Sequence, residues 1–194
     1  MLLVKQSVEI LRVGSIEDIE WAARTCYASD PKGDAPTFVR GLRKRHHRAM
    51  EEFTDLTVRV VTSRAIANEL TRHRLCSFAQ ESTRYVNYMK GEHLRIVWDE
   101  EEAPPYDMVQ AWQHAEIAYR TLVQLGHKPE RARDVLPLAT ATKLCVKANW
   151  SQWRYMMQVR ERGVTGKPHP DMVRLMGLVH KAVDAVEPML FEGI

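Results

Sequence analysis

Cysteine is scarce in this chain. Among 194 residues there are three, Cys26, Cys76 and Cys145, widely separated and odd in number. That excludes the disulfide framework of a small secreted domain and the paired spacing of a zinc site, and it makes a reducing cytoplasm the expected compartment. Long apolar runs are lacking too. The opening MLLVKQSVEIL reaches Lys5 and Gln6 after four residues, which supports neither a signal peptide nor a membrane span, so a soluble protein with no membrane partner is expected. Excess charge of one sign is also missing: 27% of residues are charged, yet the net charge is only +3. The bulk balance therefore demands neither nucleic acid nor an anionic surface. Histidines at 46, 47, 73, 114, 127, 169 and 180 form no HExxH or paired Cys and His pattern, so no metal site is expected. Repeats, low-complexity stretches and linkers are absent, and the expectation is one domain over 1–194.

What is there alternates between strand and helix periods. Val4, Val8 and Ile10 alternate with Lys5, Ser7 and Glu9 as a half-buried first strand. Ser15 with Asp18 three residues on resembles a capping box, opening a helix with Ile16, Ile19, Ala23 and Tyr27 on one face. Residues 37–46 read as a short basic helix. Leu56, Val58 and Val60 alternate with Thr57, Arg59 and Val61 as a second strand, and Ser63 caps the helix that follows. Residues 105–126 carry a long helical pattern with Met108, Trp112, Ile117 and Leu122 as packing positions and Gly126 as the stop. A short helix ends near Pro137, a run of ambiguous period reaches Asn149, and 151–162 and 171–186 are helical candidates.

The stretch RHRLCSFAQESTRYVNY, from Arg72 to Tyr88, has no clean period and great polar density, which suggests an irregular functional segment. Arg72, Arg74 and Arg84 offer planar forks for phosphate, while Ser82, Gln80 and backbone amides can address the polar edge of a base. An anionic, hydrogen-bonding ligand such as a nucleotide suits that set. The bland alternative is a solvated helix end. The order Arg72, His73, Arg74, then seven residues, then Ser82, Arg84 and Tyr85 resembles the signature of flavin-dependent thymidylate synthases. His47 and Glu52 upstream, the segment Arg133, Val135, Leu136, Pro137, and a block from Asn149 through Trp153 and Arg160 to His169 and Pro170 extend the resemblance over most of the chain.

The resemblance implies an α+β fold of the thymidylate synthase-complementing type, a largely antiparallel curved sheet flanked by helices, assembled as a homotetramer. It implies conversion of dUMP to dTMP with FAD, NADPH and methylenetetrahydrofolate. Carried over residue by residue, it assigns His47, Arg72, His73, Arg74, Gln80 and Asn149 to FAD. It assigns Glu69, Arg72, Gln80, Glu81, Ser82, Thr83, Arg84, Arg133 and Arg160 to dUMP, with Arg160 and Ser82 at the catalytic centre. Arg160 would favour the ionised uracil and make C5 nucleophilic. No enzyme nucleophile is then needed, Ser82 positioning the substrate and Cys76 acting as a packing residue. Departures from the pattern fall at Ala79, Gln80, Ser151 and Tyr155 and at an insertion over 163–168. They motivate an alternative, a pyrimidine nucleotide hydroxymethylase on the same scaffold. The basic cluster from Arg40 to Arg48 motivates another, a nonenzymatic polyanion-binding protein.

Overall fold

A computed structural model describes residues 1–88 and 93–194. The fold is α+β. Chain contacts divide it into two compact units, one of Met1–Ser7, Val60–Arg72 and Ala79–Leu144, the other of Val8–Arg59, His73–Phe78 and Cys145–Ile194. Four strands form one sheet, β2 (Ser7–Val13), β3 (Asp55–Ser63), β4 (Ser77–Gln80) and β6 (Ala141–Asn149), in the order β2-β3-β6-β4. Partners on β2 fall in number as those on β3 rise. Arg59 Nε donates to Glu9 at 3.0 Å and Thr62 Oγ1 to Gln6 at 2.6 Å, so the pair is antiparallel. The contacts of β6 run the same way: Lys147 pairs with Asp55 and Arg64 N–H reaches Thr140 O.

In the first unit β1 (Leu2–Val4) pairs in parallel with β5 (Arg95–Val97), Leu3 opposite Ile96. The expected single first strand is therefore two. The chain passes from one sheet to the other at Lys5 and Gln6, where the buried Gln6 side chain accepts from Thr62 and donates to Asp99 at 3.1 Å. Ser63 caps α3 (Arg64–Leu70), accepting from Ile66 N–H at 3.2 Å, as the sequence predicts. The long helix is α4 (Tyr106–Gln124), followed by Gly126 at φ 89°, a left-handed conformation that costs glycine nothing. Trp112 is buried with Leu94 and Ile96, but Met108 and Ile117 are 40% and 59% exposed. The buried face instead includes Glu116, which accepts from Leu94 N–H at 3.1 Å and pairs with Arg120. The short helix α5 (Pro129–Ala132) leads into a 3-10 turn over Arg133–Val135.

The second unit is mainly helical. Its members are α1 (Ile16–Thr25), α2 (Ala35–Lys44), a 3-10 segment (Arg48–Phe53), α6 (Trp150–Arg160) and α7 (Pro170–Asp184). The capping box at Ser15 and Asp18 forms, and Ile16, Ile19 and Ala23 are buried. Tyr27 lies beyond the helix end and is 67% exposed. The ambiguous run before Asn149 is β6, with Leu144, Val146 and Ala148 buried on alternate positions. Among the described residues no helix is long and apolar enough to cross a membrane.

Candidate functional site

In the first unit the motif's second half wraps from β4 into a turn. Ser82 O accepts from Val86 N–H at 2.9 Å, and Ser82 Oγ accepts from Arg84 N–H at 3.2 Å. The hydroxyl thus shapes the turn that displays Arg84. Thr83 is buried at the centre of the turn and accepts from Arg133 Nη1 at 3.2 Å, across fifty positions of sequence. Arg84 and Arg133, both exposed, are therefore brought to one turn, each with a fork suited to phosphate. Gln80 Nε2 donates to Thr142 Oγ1 at 3.4 Å. Glu81 faces the neighbouring strand, accepting from Lys143 N–H at 3.3 Å while its own N–H donates to Lys143 O. These bonds hold Glu81 against β6 one residue beyond the end of β4.

Two members of this neighbourhood were given no role by the sequence, Tyr88 only closing the motif segment. Arg64, at the start of α3, directs Nη1 to Glu81 O and Thr142 Oγ1 at 3.4 Å each. Tyr88 donates its backbone N–H to the Tyr119 hydroxyl at 3.3 Å. Burial, reinforced by Glu81, pushes its own phenol up to about 12, so it stays protonated and neutral at physiological pH. Glu69 is half-buried on α3, and Arg72 stands exposed just past that helix, its N–H on Glu69 O at 3.2 Å.

In the second unit the sequence-predicted residues meet at the end of α6. Arg160, in the last turn, donates from Nε to Nε2 of buried His73 at 2.9 Å. Because Nε2 accepts, the imidazole carries its proton on Nδ1. Burial and then the Arg160 charge hold His73 below the ordinary histidine value, keeping the ring neutral and the acceptor intact. Tyr155, one of the departures, is exposed and sets its ring edge-on to His73 at 6.2 Å. Arg74 is exposed next to it in sequence. Cys76 places Sγ 3.4 Å from Met156 Sδ, and burial pushes its thiol up to about 11. A thiol so held is a poor nucleophile.

Asn149 opens α6, its Oδ1 accepting from Gln152 N–H at 2.8 Å. His47 is exposed before the 3-10 segment. Its expected acidic companion, Glu52, is also exposed, while the adjacent Glu51 is buried between two arginines. Arg43 Nε donates to Glu51 at 2.6 Å, and Arg154 Nε lies 3.5 Å from its other oxygen. Arg43 and Arg154 also donate to the carbonyls of Met189 and Leu190, each at 2.6 Å. Burial and then Arg43 lower the Arg154 guanidinium to about 10, which leaves it charged at neutral pH. Sequence reasoning missed this network because nothing local distinguishes Glu51 from Glu52.

Residues 11–188 match the family model for the thymidylate synthase complementing protein. A flavin-dependent thymidylate synthase of Synechocystis sp. is 29% identical over 162 residues, covering 74% of this chain and 75% of that one. One of Geobacter sulfurreducens is 33% identical over 141 residues, covering 66% of this chain and 61% of that one. Among solved structures, the UMP/dUMP methylase PolB from Streptomyces cacaoi bound with 5-Br dUMP superposes with a TM-score of 0.84 at 20% identity, covering 99% of this chain and 96% of that one. At that identity the likeness speaks to the fold.

Proposed function

Because the chain belongs to the thymidylate synthase complementing protein family, we propose that it is a flavin-dependent thymidylate synthase. It would convert dUMP to dTMP with methylenetetrahydrofolate as one-carbon donor and NADPH-reduced FAD as hydride source, working as one domain in a cytoplasmic homotetramer. The observation that carries the mechanism is the Arg160–His73 hydrogen bond of 2.9 Å. It fixes a guanidinium by its Nε against a neutral, buried acceptor.

In this reading Arg160 faces the N3 and O2 edge of uracil. A positive charge there opposes the negative charge that develops on the ring, lowers the cost of losing the N3 proton and makes C5 the nucleophile. The orientation is set before substrate arrives, so little reorganisation remains in the transition state. No side chain need attack C6. Ser82 has its hydroxyl on Arg84 N–H and the Cys76 thiol is pushed up to about 11, so neither is an activated nucleophile. Arg84 and Arg133 hold the phosphate of dUMP from the turn they share, and Gln80, Glu81, Ser82, Thr83, Arg72 and Glu69 line the nucleotide.

The donor set fits a flavin dinucleotide: exposed Arg72 and Arg74 flank buried His73 in sequence, with an exposed tyrosine ring against the imidazole. Cationic forks suit its diphosphate and aromatic edges its rings. His47, Arg72, His73, Arg74, Gln80 and Asn149 would hold it, Asn149 while also capping α6. When bound and reduced, FAD supplies the hydride that completes the methyl group.

The test is mass spectrometry of the nucleotide after anaerobic incubation with dUMP, FAD, NADPH and methylenetetrahydrofolate, beside Arg160→Ala. We expect dTMP, with turnover suppressed in the variant more than dUMP binding. A hydroxymethylated nucleotide would replace this reading with hydroxymethyl transfer, and unchanged dUMP from folded, flavin-loaded protein would replace it with a binding role.

A further inference from the structure

Arg160 stands in the last turn of α6, where a helix runs out of internal partners for its carbonyls and frays. Here the chain past that turn is tied back. Glu161 and Arg162 N–H both donate to Met157 O, at 2.9 and 3.1 Å, and Val164 N–H donates to Gln158 O at 3.1 Å. The residue that closes the helix is Glu161. An acid at this end meets the negative pole of the carbonyl dipoles, so it stands against the local preference. Departures of that kind persist where tertiary structure compensates for them, and they collect at functional sites.

The compensation comes from α7. His180 turns Nδ1 to Glu161, 3.0 and 3.3 Å from its two oxygens. An ionised carboxylate only accepts, so Nδ1 carries the proton. The other ring nitrogen, Nε2, faces Asp184 at 3.6 Å, and the ring meets buried Phe191 edge-on at 5.2 Å. The His180 and Glu161 side chains are only 18% and 14% exposed. Around them α7 buries Met172, Leu175, Met176, Val179 and Val183, so apolar residues at both positions would extend a face already built. Stability alone does not call for an ion pair there, because well-packed apolar side chains serve it as well. Arg162 also approaches Glu161, but at 3.8 Å and with half its side chain in solvent, where an ion pair is screened and weak.

We infer that His180 is a positioning residue of the reaction. By holding the Glu161 carboxylate it keeps the last turn of α6 closed, and the closed turn keeps Arg160 Nε on His73 at 2.9 Å. Without the imidazole, Glu161 turns to solvent, the turn opens more often, and Arg160 leaves its acceptor for part of the time. The consequence for turnover rests on the thymidylate synthase reading, whereas the placement of Arg160 does not. The donor that matters is Nδ1, since Nε2 faces a carboxylate of its own helix and ties nothing to α6.

Three substitutions divide the role. His180→Asn places an amide nitrogen near Nδ1 and keeps a donor for Glu161, His180→Gln places it near Nε2 on the Asp184 side, and His180→Leu keeps neither. The first readout is hydrogen exchange of the Arg160 Nε proton in 15N-labelled, flavin-loaded protein without substrate, the signal being assigned by its absence in Arg160→Lys. Exchange should be about tenfold faster in the leucine and glutamine variants and within about twofold of the parent in the asparagine variant. Backbone amides of Leu56 and Val58 on β3 should keep the parent's rates in all three. The second readout is steady-state turnover of dUMP. The kcat should fall about tenfold with leucine or glutamine and hold with asparagine, while the dUMP Kd from equilibrium dialysis stays the same throughout. Parent-like Arg160 exchange in the leucine variant, or a glutamine variant that matches the asparagine one, would overturn the inference. So would β3 amides that quicken in step with Arg160, which would mark a general loss of stability, or equal kcat values in an active parent. A leucine variant that fails to fold leaves the asparagine and glutamine pair to decide. If Arg160 exchange divides as expected but the parent makes no dTMP, the placement of Arg160 by His180 stands and the thymidylate reading falls.

Discussion

Replacing His73 by two different side chains separates its role as an acceptor from its role as a titrating group. In the structure Nε2 accepts from Arg160 Nε at 2.9 Å in a buried setting. A hydrogen bond with a charged partner contributes about 1.5–3 kcal/mol. If that energy orients Arg160 for the transition state, His73→Leu should lower kcat about ten- to hundredfold at neutral pH, since roughly 1.4 kcal/mol is a factor of ten. Glutamine can place an amide oxygen near the position of Nε2 and does not titrate, so His73→Gln should keep most of the rate. The pH dependence follows. Burial and the Arg160 charge lower the His73 pKa, so the folded protein binds this proton less readily than the unfolded chain. Its neutral form is fully present above the ordinary histidine value. As pH falls below that value stability is lost, and protonation through the lowered folded pKa removes the acceptor. Activity that depends on the bond should fall on the same acidic limb in the parent, and the limb should be missing in His73→Gln. The assay is steady-state kinetics across pH with flavin content measured at each point. A leucine variant within about twofold of the parent, or a glutamine variant with the parent's acidic limb, would refute the orienting role.

Other perturbations test the scaffold. Glu51→Gln leaves Arg43 and Arg154 buried without their shared carboxylate; removing one partner of such a pair costs about 3–5 kcal/mol, and urea denaturation should show a free energy of unfolding lower by that amount, with the midpoint moved to lower urea. Ser63→Ala removes the oxygen that accepts from Ile66 N–H and should destabilise by about 1 kcal/mol without altering ligand affinity, read by the same titration. Cys76→Ala should retain turnover, because a thiol raised to about 11 is not the attacking group; a collapse of kcat with flavin still bound would reinstate it as a nucleophile.

How much of this was legible in the sequence depended on distance along the chain. Caps at Ser15 and Ser63 were readable because their partners lie within three residues. So was β3, whose alternating Leu56, Val58 and Val60 are all buried. The strand β4 was not, since four residues with a half-exposed pattern carry no period, and Ser77–Gln80 becomes a strand only by joining a sheet beside β6. The parallel pairing of β1 with β5 joins residues more than ninety apart. On α4 the predicted stripe was partly misplaced because Glu116 counts as polar in any hydrophobic pattern, yet it is buried by Leu94 N–H and Arg120. The candidate site divides likewise. Residue types in the motif pointed to an anionic ligand, but only tertiary structure distinguishes Thr83, buried against Arg133, from its exposed neighbour Arg84. Nor does the sequence show that Arg160 reaches a histidine 87 positions away.

The second unit explains why the arginine in question sits where it does. Helix α6 is held along its length by polar anchors as well as by packing. Asn149 caps its first turn, Trp150 N–H donates to Thr54 O at 3.1 Å, and Trp153 Nε1 donates to Leu56 O at 2.9 Å. Arg154 then joins the helix to Glu51 and to the carbonyls of Leu190 and Glu192. Past the last turn, Glu161 pairs with His180 of α7 at 3.0 Å. Interdigitated packing of Trp150, Trp153, Met156 and Met157 opposes sliding of the helix along its axis, and directional bonds at several levels add to that resistance. Arg160 lies between the Arg154 and Glu161 anchors, so its backbone is constrained on both sides before its side chain meets His73. For a residue whose proposed work is to oppose charge on a ring, placement within a fraction of an ångström matters more than affinity. This accounts for a cost the protein otherwise has no reason to bear: two arginines buried beside one glutamate, an arrangement that well-packed apolar side chains would equal or exceed in stability.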